Sequence, residues 1–208
     1  MPSTFDDIRI SGELKIKDTG IAAQTRASIL TQDNLAIFPV PLTSLRVWDA
    51  MQTNLPGTAA TDDLAIIGGT FGTAPPMIQA GDLKNAGATT RYARFEVSLP
   101  ECYQAAETVV LSLSAGMKTT VASVSCTVDI ECYRLDKISG IGSDLCATSA
   151  ISINSLTFAA RDFTITSASL SPGDMLDVRV TIACNDSATA TAVTPTIAAI
   201  DLLCDIKG

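Results

Sequence analysis

The amino-acid sequence predicts an all-β protein, a two-sheet antiparallel sandwich with an extended N-terminal arm. Three observations support this: apolar and polar residues alternate along much of the chain, turn formers interrupt the alternation at short intervals, and charged residues are few. Of the 208 residues, 47% are hydrophobic and 17% are charged. Helix-rich soluble domains usually carry more Glu, Lys and Arg, whereas the Thr, Val and Ile of this chain favour strands.

The N-terminal segment has its own short alternating pattern, IRISGELKIK. Its apolar positions lie on both sides of a Ser-Gly step, which suits a small hairpin or an extended arm with an apolar edge. A unit of this size is not stable alone. We therefore expect it to lie on the body, on another subunit or on a partner.

A proline pair, Pro39 and Pro41, separates this segment from the longer pattern that follows. The sequence therefore predicts an arm or hairpin over residues 1–40 and a sandwich domain over residues 41–208.

The stretch LTSLRVWDA contains the only tryptophan of the chain. In an extended strand, Leu45 and Val47 share one face, so Trp48 lies on the other. Two interpretations stay open: the next segment folds back over Trp48 as packing, or Trp48 is an aromatic platform for a sugar or a partner.

Two motifs after Trp48 indicate turns and not ligand sites. The pair Asp62 and Asp63 supplies too few oxygen ligands for Ca²⁺ and suits a solvated turn or a cap. The pair Gly68 and Gly69 is followed neither by a helical pattern nor by the lysine of a phosphate-binding loop, so it indicates a sheet corner.

After residue 90, the period of two predicts strands of about six to nine residues that end at turn formers. Seven or eight strands are expected between residues 40 and 208. The predicted turns lie at Pro100, Gly116, 140–142 and 172–174. The predicted inward rows are Phe95, Val97 and Leu99; Val109, Leu111 and Leu113; Cys126, Val128, Ile130 and Cys132; Phe163 and Ile165; Leu176, Val178, Val180, Ile182 and Cys184; and Ile200, Leu202, Cys204 and Ile206. Alternation does not fix strand order, so it leaves a jelly roll and other sandwiches open.

The six cysteines could pair in principle, because their number is even. Several of them fall on inward rows, the first residues do not form a signal peptide, and C-x-x-C does not occur. These observations favour buried thiols over disulfides and over a zinc or redox site.

Composition also excludes several function classes. Histidine is absent and the formal net charge is −8, which disfavours histidine-dependent catalysis and nucleic-acid binding. Acidic residues on or near strands could form a glycosidase pair, but with 22 acids such candidates arise by chance. We expect no enzyme activity, no catalytic residue, no cofactor, no metal, no nucleic-acid partner and no membrane span.

Six motifs occur in the order WDA, LPGT, DDL, GGTFGT, TTRYARF and LSPGD. In this order, and over about residues 40–206, the chain resembles jelly-roll virion proteins of tailed bacteriophages. The resemblance implies a capsid cement (decoration) protein that stabilises the shell by bridging subunits of the major capsid protein. It further implies a homo-oligomer, a trimer, on the outer capsid surface of a virion assembled in the host bacterial cytoplasm.

Under this hypothesis the partner-binding residues are apolar arm residues and the tryptophan: Phe5, Ile8, Ile10, Leu14, Ile16 and Trp48. The alternative is a phage tail or fibre module that binds a host-surface glycan through Trp48, Tyr92 or Tyr103.

Overall fold

The computed structural model describes residues 35–136, 138 and 140–207, together with the backbone of two short strands at 13–14 and 24–25. In chain order the strands are β1 (Glu13–Leu14), β2 (Gln24–Thr25), β3 (Leu35–Pro39), β4 (Arg46–Val47), β5 (Ala50–Asn54), β6 (Ala65–Ile67), β7 (Met77–Gln79), β8 (Gly87–Ser98), β9 (Val109–Met117), β10 (Ser125–Leu135), β11 (Ile151–Ser152), β12 (Ala159–Ile165), β13 (Met175–Asp186) and β14 (Pro195–Asp205). A 3-10 turn, Leu42–Ser44, precedes β4.

The strands form two antiparallel sheets. The front sheet has the order β5-β4-β8-β13-β10-β11, and the back sheet has the order β6-β7-β14-β9-β12, with β3 also paired to β14. From β8 to β14 the six long strands alternate between the sheets, and the orders β8-β13-β10-β11 and β7-β14-β9-β12 are those of a jelly roll. The predicted all-β sandwich is confirmed.

The inner faces of the sheets form the core, as the alternation predicts. Across the front sheet, Cys132 is opposite Val178, and Val178 is opposite Phe95. On the back sheet, Leu111 lies between Phe163 and Leu202. All of these side chains are fully buried, so the inward rows are packed against each other between the sheets.

The number of strands after residue 40 is higher than the sequence predicts. The described chain there contains eleven strands instead of seven or eight: six long ones and five short segments of two to five residues, β4, β5, β6, β7 and β11. Most of these segments are too short to show a period of two. Pairing with longer strands holds β4, β7 and β11 in place, whereas β5 pairs with β4 and β6 pairs with β7.

The N-terminal segment is described only in part. The strands β1 and β2 pair with each other, with Leu14 opposite Gln24. The strand β3 falls inside the segment 1–40, and its pairing with β14 joins it to the back sheet.

One buried carboxylate connects three loops at one end of the sandwich. Asp186 accepts the amide hydrogens of Asn85 at 2.8 Å, Ser123 at 2.7 Å and Thr189 at 3.3 Å, and also the Thr189 hydroxyl. Burial alone would raise the pKa of Asp186, but the bonds from Thr189, Ser123 and Asn85 outweigh it and hold that pKa well below its usual range.

No helix in the part of the chain that the structure describes is long and apolar enough to cross a membrane.

Candidate functional site

The aromatic centre of the candidate site is Trp48, which directly follows β4 on the outer side of the front sheet. Its ring lies 5.1 Å from the ring of Tyr92 on β8, centroid to centroid, with the planes tilted by 47°. The indole Nε1–H donates to Oδ2 of Asp62 at 3.1 Å. Trp48 and Tyr92 are each half-buried, so part of each ring stays open to a ligand.

The segment 62–64 runs beside β8 and holds Asp62 in position. The Tyr92 amide donates to the Asp62 carbonyl at 2.7 Å, and the Leu64 amide donates to the Tyr92 carbonyl at 2.8 Å. The following segment therefore does fold back to Trp48, as one interpretation of the sequence expected, but it contacts the indole edge and leaves the site open on the outer face.

A guanidinium completes the aromatic cluster. The Cζ atom of Arg179 lies 5.5 Å from the Trp48 ring centroid and 5.0 Å from the Tyr92 ring centroid, within the range of cation–π attraction. Arg179 also forms an ion pair with Glu131, Nη2 to Oε2 at 2.6 Å. The pair arises from register, because Glu131 on β10 is directly opposite Arg179 on β13.

A second arginine is directly opposite the first. Arg94 on β8 pairs in register with Arg179, and like charges at such positions destabilise a sheet unless they are neutralised. Arg94 makes two parallel bonds to Asp177, Nε to Oδ1 at 2.7 Å and Nη2 to Oδ2 at 2.5 Å. The hydrogen bond to Asp177 raises the pKa of Arg94, so the Arg94 guanidinium stays charged, and the two bonds fix its orientation.

These groups surround a hollow of about 330 Å³ on the front sheet, here called the Trp48 site. It is lined by Trp48, Asp49, Arg94, Glu131, Tyr133, Ile141, Asp177 and Arg179. Rings, an apolar side chain and fixed planar donors and acceptors together match a ligand with an apolar face and a polar edge.

Carboxylates outnumber cations at this site. Asp49, Glu131 and Asp177 line it together with only two arginines, and Asp62 and Asp63 lie beside it. Burial, followed by repulsion from Asp62 and Asp49, raises the pKa of Asp63. This charge balance favours a neutral ligand over an anionic one.

The structure brings together two of the three aromatic residues named for glycan binding and excludes the third. Trp48 and Tyr92 are in contact, whereas Tyr103 is fully buried and its hydroxyl donates to the Glu107 carbonyl at 2.8 Å. The assignment of Tyr103 was wrong, because its position next to a proline turn does not reveal that the ring points into the core.

The arm residues proposed for partner binding cannot be placed. Phe5, Ile8, Ile10 and Ile16 lie outside the described residues, and only the backbone of Leu14 lies within them.

Sequence reasoning missed both arginines and Asp177. Their signal was present, since RYARFE and LDVRV place them on outward positions of alternating strands. Charged residues at such positions are usually solvated, however, and only strand register shows that they meet.

Two acidic residues on β10, Asp129 and Glu131, are among those near strands that could have formed a glycosidase pair, and both have structural partners. Glu131 is bound to Arg179, and burial raises the pKa of Asp129 although a bond from the Ile130 amide opposes it. Within the residues that the structure describes, no group of His, Cys, Asp and Glu side chains could hold a metal ion.

Comparison with known proteins gives similarity in fold only. No protein-family model and no curated protein matches the chain. Among solved structures, the chain is similar to a "xylan-binding module CBM15" at 14% identity and a TM-score of 0.44, covering 84% of this chain and all of that one. A xylan-binding CBM22-1 domain from Paenibacillus barcinonensis Xyn10C aligns at 12% identity and a TM-score of 0.38, over 72% and 90%.

A structure of infectious bursal disease virus, Gx strain, aligns at 13% identity and a TM-score of 0.35, over 94% of this chain and 36% of that one. Likenesses at this level concern the shared β-sandwich alone.

Proposed function

We propose that this chain is a non-enzymatic carbohydrate-binding protein that holds a neutral glycan at the Trp48 site. The observation that carries the proposal is the cluster of Trp48, Tyr92 and Arg179 beside two fixed ion pairs on an open sheet face. The xylan-binding proteins to which the chain is similar have the same general fold, but the proposal depends on the site.

The chemistry of a sugar fits the two parts of the site. A pyranose ring has an apolar face of C–H groups, which packs on an aromatic ring, and an edge of hydroxyls that both donate and accept. The Arg94–Asp177 and Arg179–Glu131 pairs present acceptor lone pairs and N–H donors in fixed orientations. Because these groups are already held in place, binding costs little side-chain entropy.

The test is binding of neutral oligosaccharides, followed by calorimetry with the best ligand. Trp48→Ala and Tyr92→Ala should each weaken binding about tenfold or more, which is about 1.4 kcal/mol, because each removes ring contact. The matched control is Phe71→Ala, which removes another aromatic side chain, one that is completely exposed between β6 and β7 and does not line the Trp48 site, and it should not change affinity. No binding by any neutral glycan, or equal loss in all three variants, contradicts the proposal.

We propose capsid decoration as a second candidate, with the major capsid protein of a bacteriophage as partner and a trimer on the outer capsid surface. Exposed apolar side chains favour it: Ile37 is 61% exposed and Leu35 44% exposed on β3, within the segment 1–40, and Phe71 is completely exposed. Leu35 and Ile37 are alternate residues of one strand and so share a face, and adjacent exposed apolar side chains are typical of protein contacts. Decoration acts by mass action, because added contacts stabilise only the assembled shell.

Two measurements separate the candidates. Deleting residues 1–20 should reduce occupancy of bare capsids if the arm docks there, while glycan binding at the Trp48 site stays unchanged. Undiminished occupancy contradicts a docking arm. In purified particles, a decoration protein should be about as abundant as the capsid protein, whereas a tail or fibre module should give a faint band.

A further inference from the structure

Two buried cysteines are directly opposite each other on neighbouring strands of the front sheet. Cys126 on β10 pairs in register with Cys184 on β13. Both side chains point into the core, where Cys126 is 0% exposed and Cys184 is 3% exposed. They are far apart in sequence, so only the strand pairing brings them together.

Their position in the ladder is the one in which facing side chains are closest. The Cys126 carbonyl accepts the Ile153 amide at 2.9 Å, so the backbone polar groups of Cys126 point toward β11 and away from β13. The pair with Cys184 is therefore a non-hydrogen-bonded pair, in which Cα atoms are about 4.5 Å apart. This separation lies within the range of about 4.4–6.8 Å that disulfides span.

The two thiols also interact with each other. The hydrogen bond with Cys184, together with burial, raises the pKa of the Cys126 thiol. Buried thiols react slowly, because an oxidant does not reach them and because the thiolate is the nucleophile in disulfide exchange. Oxidation is therefore fastest while the chain folds or when the sheet edge opens.

Among the described residues, no other two cysteines are opposite each other in a strand pair. The Cys146 thiol donates to the Thr148 carbonyl at 3.5 Å, and Cys102 is exposed. Cys132 faces Val178 and Cys204 faces Val109 across the strands. The Cys126–Cys184 pair is thus distinguished by both register and orientation.

We propose that Cys126 and Cys184 form a cross-strand disulfide when the chain meets a small-molecule disulfide such as oxidised glutathione. One cysteine thiolate attacks a sulfur of the glutathione disulfide and releases one glutathione thiolate. The second cysteine thiolate attacks the mixed disulfide at the protein sulfur and releases the other glutathione. Two protein thiols are oxidised, one glutathione disulfide is reduced to two thiols, and the two cysteine protons pass to the released thiolates.

The bond would give the front sheet a redox-dependent stability. It links β10 and β13, the strands that carry Glu131 and Arg179 of the Trp48 site, and it restricts the unfolded chain between residues 126 and 184. A chain made with free thiols in a reducing compartment would become more stable in oxidising surroundings.

The experiment refolds the reduced, urea-unfolded full chain in a buffer of oxidised and reduced glutathione, so that burial does not limit access. Free thiols are then blocked with excess iodoacetamide in urea, which exposes buried thiols, and the protein is mapped by mass spectrometry. We expect a peptide that links Cys126 to Cys184. We also expect the thermal midpoint of the oxidised protein to lie about 5–10 °C above that of the reduced protein, and to return to the reduced value when the bond is reduced.

Two variants provide controls. Cys102→Ala removes the exposed thiol and should keep both the link and the shift, whereas Cys126→Ala should lose both. If Cys126→Ala does not fold, the peptide map of Cys102→Ala decides. Refolded protein that melts cooperatively but carries iodoacetamide on both Cys126 and Cys184, or that links either one to another cysteine, overturns the proposal.

Discussion

At the scale of single residues, the candidate site depends on neutralising two opposed arginines. Arg94 and Arg179 occupy facing positions on β8 and β13. Glu131, directly opposite Arg179 on β10, binds Arg179. Asp177, which is diagonal to Arg94 on β13, binds Arg94. Like charges in facing positions repel. The two carboxylates therefore stabilise the sheet in addition to shaping the Trp48 site.

Replacing the more buried carboxylate should cost more stability. The Asp177 side chain is 6% exposed and makes two bonds to Arg94, so Asp177→Asn should lower the free energy of unfolding by about 2 kcal/mol. The matched control is Glu131→Gln: the Glu131 side chain is 36% exposed, and its loss should cost less than about 1 kcal/mol. Urea unfolding at neutral pH measures both, and equal losses would show that burial of the ion pair does not matter.

The orientation of the tryptophan could be predicted from sequence, but its partners could not. The alternation in LTSLRVWDA predicts that Trp48 and Leu45 lie on opposite faces of the same strand. Leu45 is indeed buried, and Trp48 lies on the outer face. The salt bridge of Arg94 with Asp177 joins residues 83 positions apart. Such contacts follow from strand register, which no local pattern specifies.

At the scale of elements, the hairpin between β6 and β7 shows why its glycines are required. The Gly69 amide donates to the Ala74 carbonyl at 3.0 Å, which closes the loop that carries Phe71. Gly68 and Gly72 have φ values of +77° and +73°, in the left-handed region that favours glycine. Only at Gly68 would a side chain also meet the backbone, because an added Cβ would overlap the Pro75 carbonyl oxygen.

The two glycines provide a matched comparison. Gly72→Ala should lower the free energy of unfolding by about 1 kcal/mol, because alanine disfavours the left-handed backbone. No further cost is expected, since nothing lies within 4 Å of the added Cβ. Gly68→Ala should cost about 1–3 kcal/mol more, because the Pro75 backbone must also shift. Thermal unfolding of both variants measures the difference, and equal midpoints would contradict the predicted overlap.

Long strands were predictable and short ones were not. The inward rows of β9, β10 and β13 are buried as the period of two predicts. The segments β4, β6 and β7 contain two or three residues each, too few for a period. They are strands only because β8 pairs with β4, β14 pairs with β7, and β7 in turn pairs with β6. Their positions are a property of the assembled sheets.

At the scale of the whole molecule, connectivity explains where the site and the loops lie. The jelly-roll order places β8, β13 and β10 side by side in the front sheet, which brings outward residues of three distant segments into one hollow. Alternation alone is compatible with several strand orders. The sandwich could therefore be predicted from the sequence, but the juxtaposition of β8, β13 and β10 could not. The same connectivity gathers three loops around Asp186 at one end.

Asp186 should make stability depend on pH in a defined direction. Its pKa is held well below the usual range in the folded protein, whereas in the unfolded chain it is near the ordinary Asp value of about 3.9. Its contribution is therefore fully present above about pH 4 and is lost as pH falls toward the folded pKa. Asp186→Asn removes the charge, so the difference in unfolding free energy between the wild type and this variant should be large at pH 6 and shrink below about pH 4.

Taking this difference isolates Asp186 from the other acids. Burial raises the pKa of Asp63 and Asp129, so their effect on the pH dependence of stability is opposite to that of Asp186. Both residues are unchanged in the variant, and their contributions therefore cancel in the difference. Glu107→Gln, at an exposed carboxylate, should give a small difference from the wild type at every pH. Urea unfolding at intervals between about pH 6 and pH 2.5 is the measurement. A difference for Asp186→Asn that stays constant over this interval would mean that the three loops do not depend on the charge of Asp186, and that its hydrogen bonds persist when it is protonated.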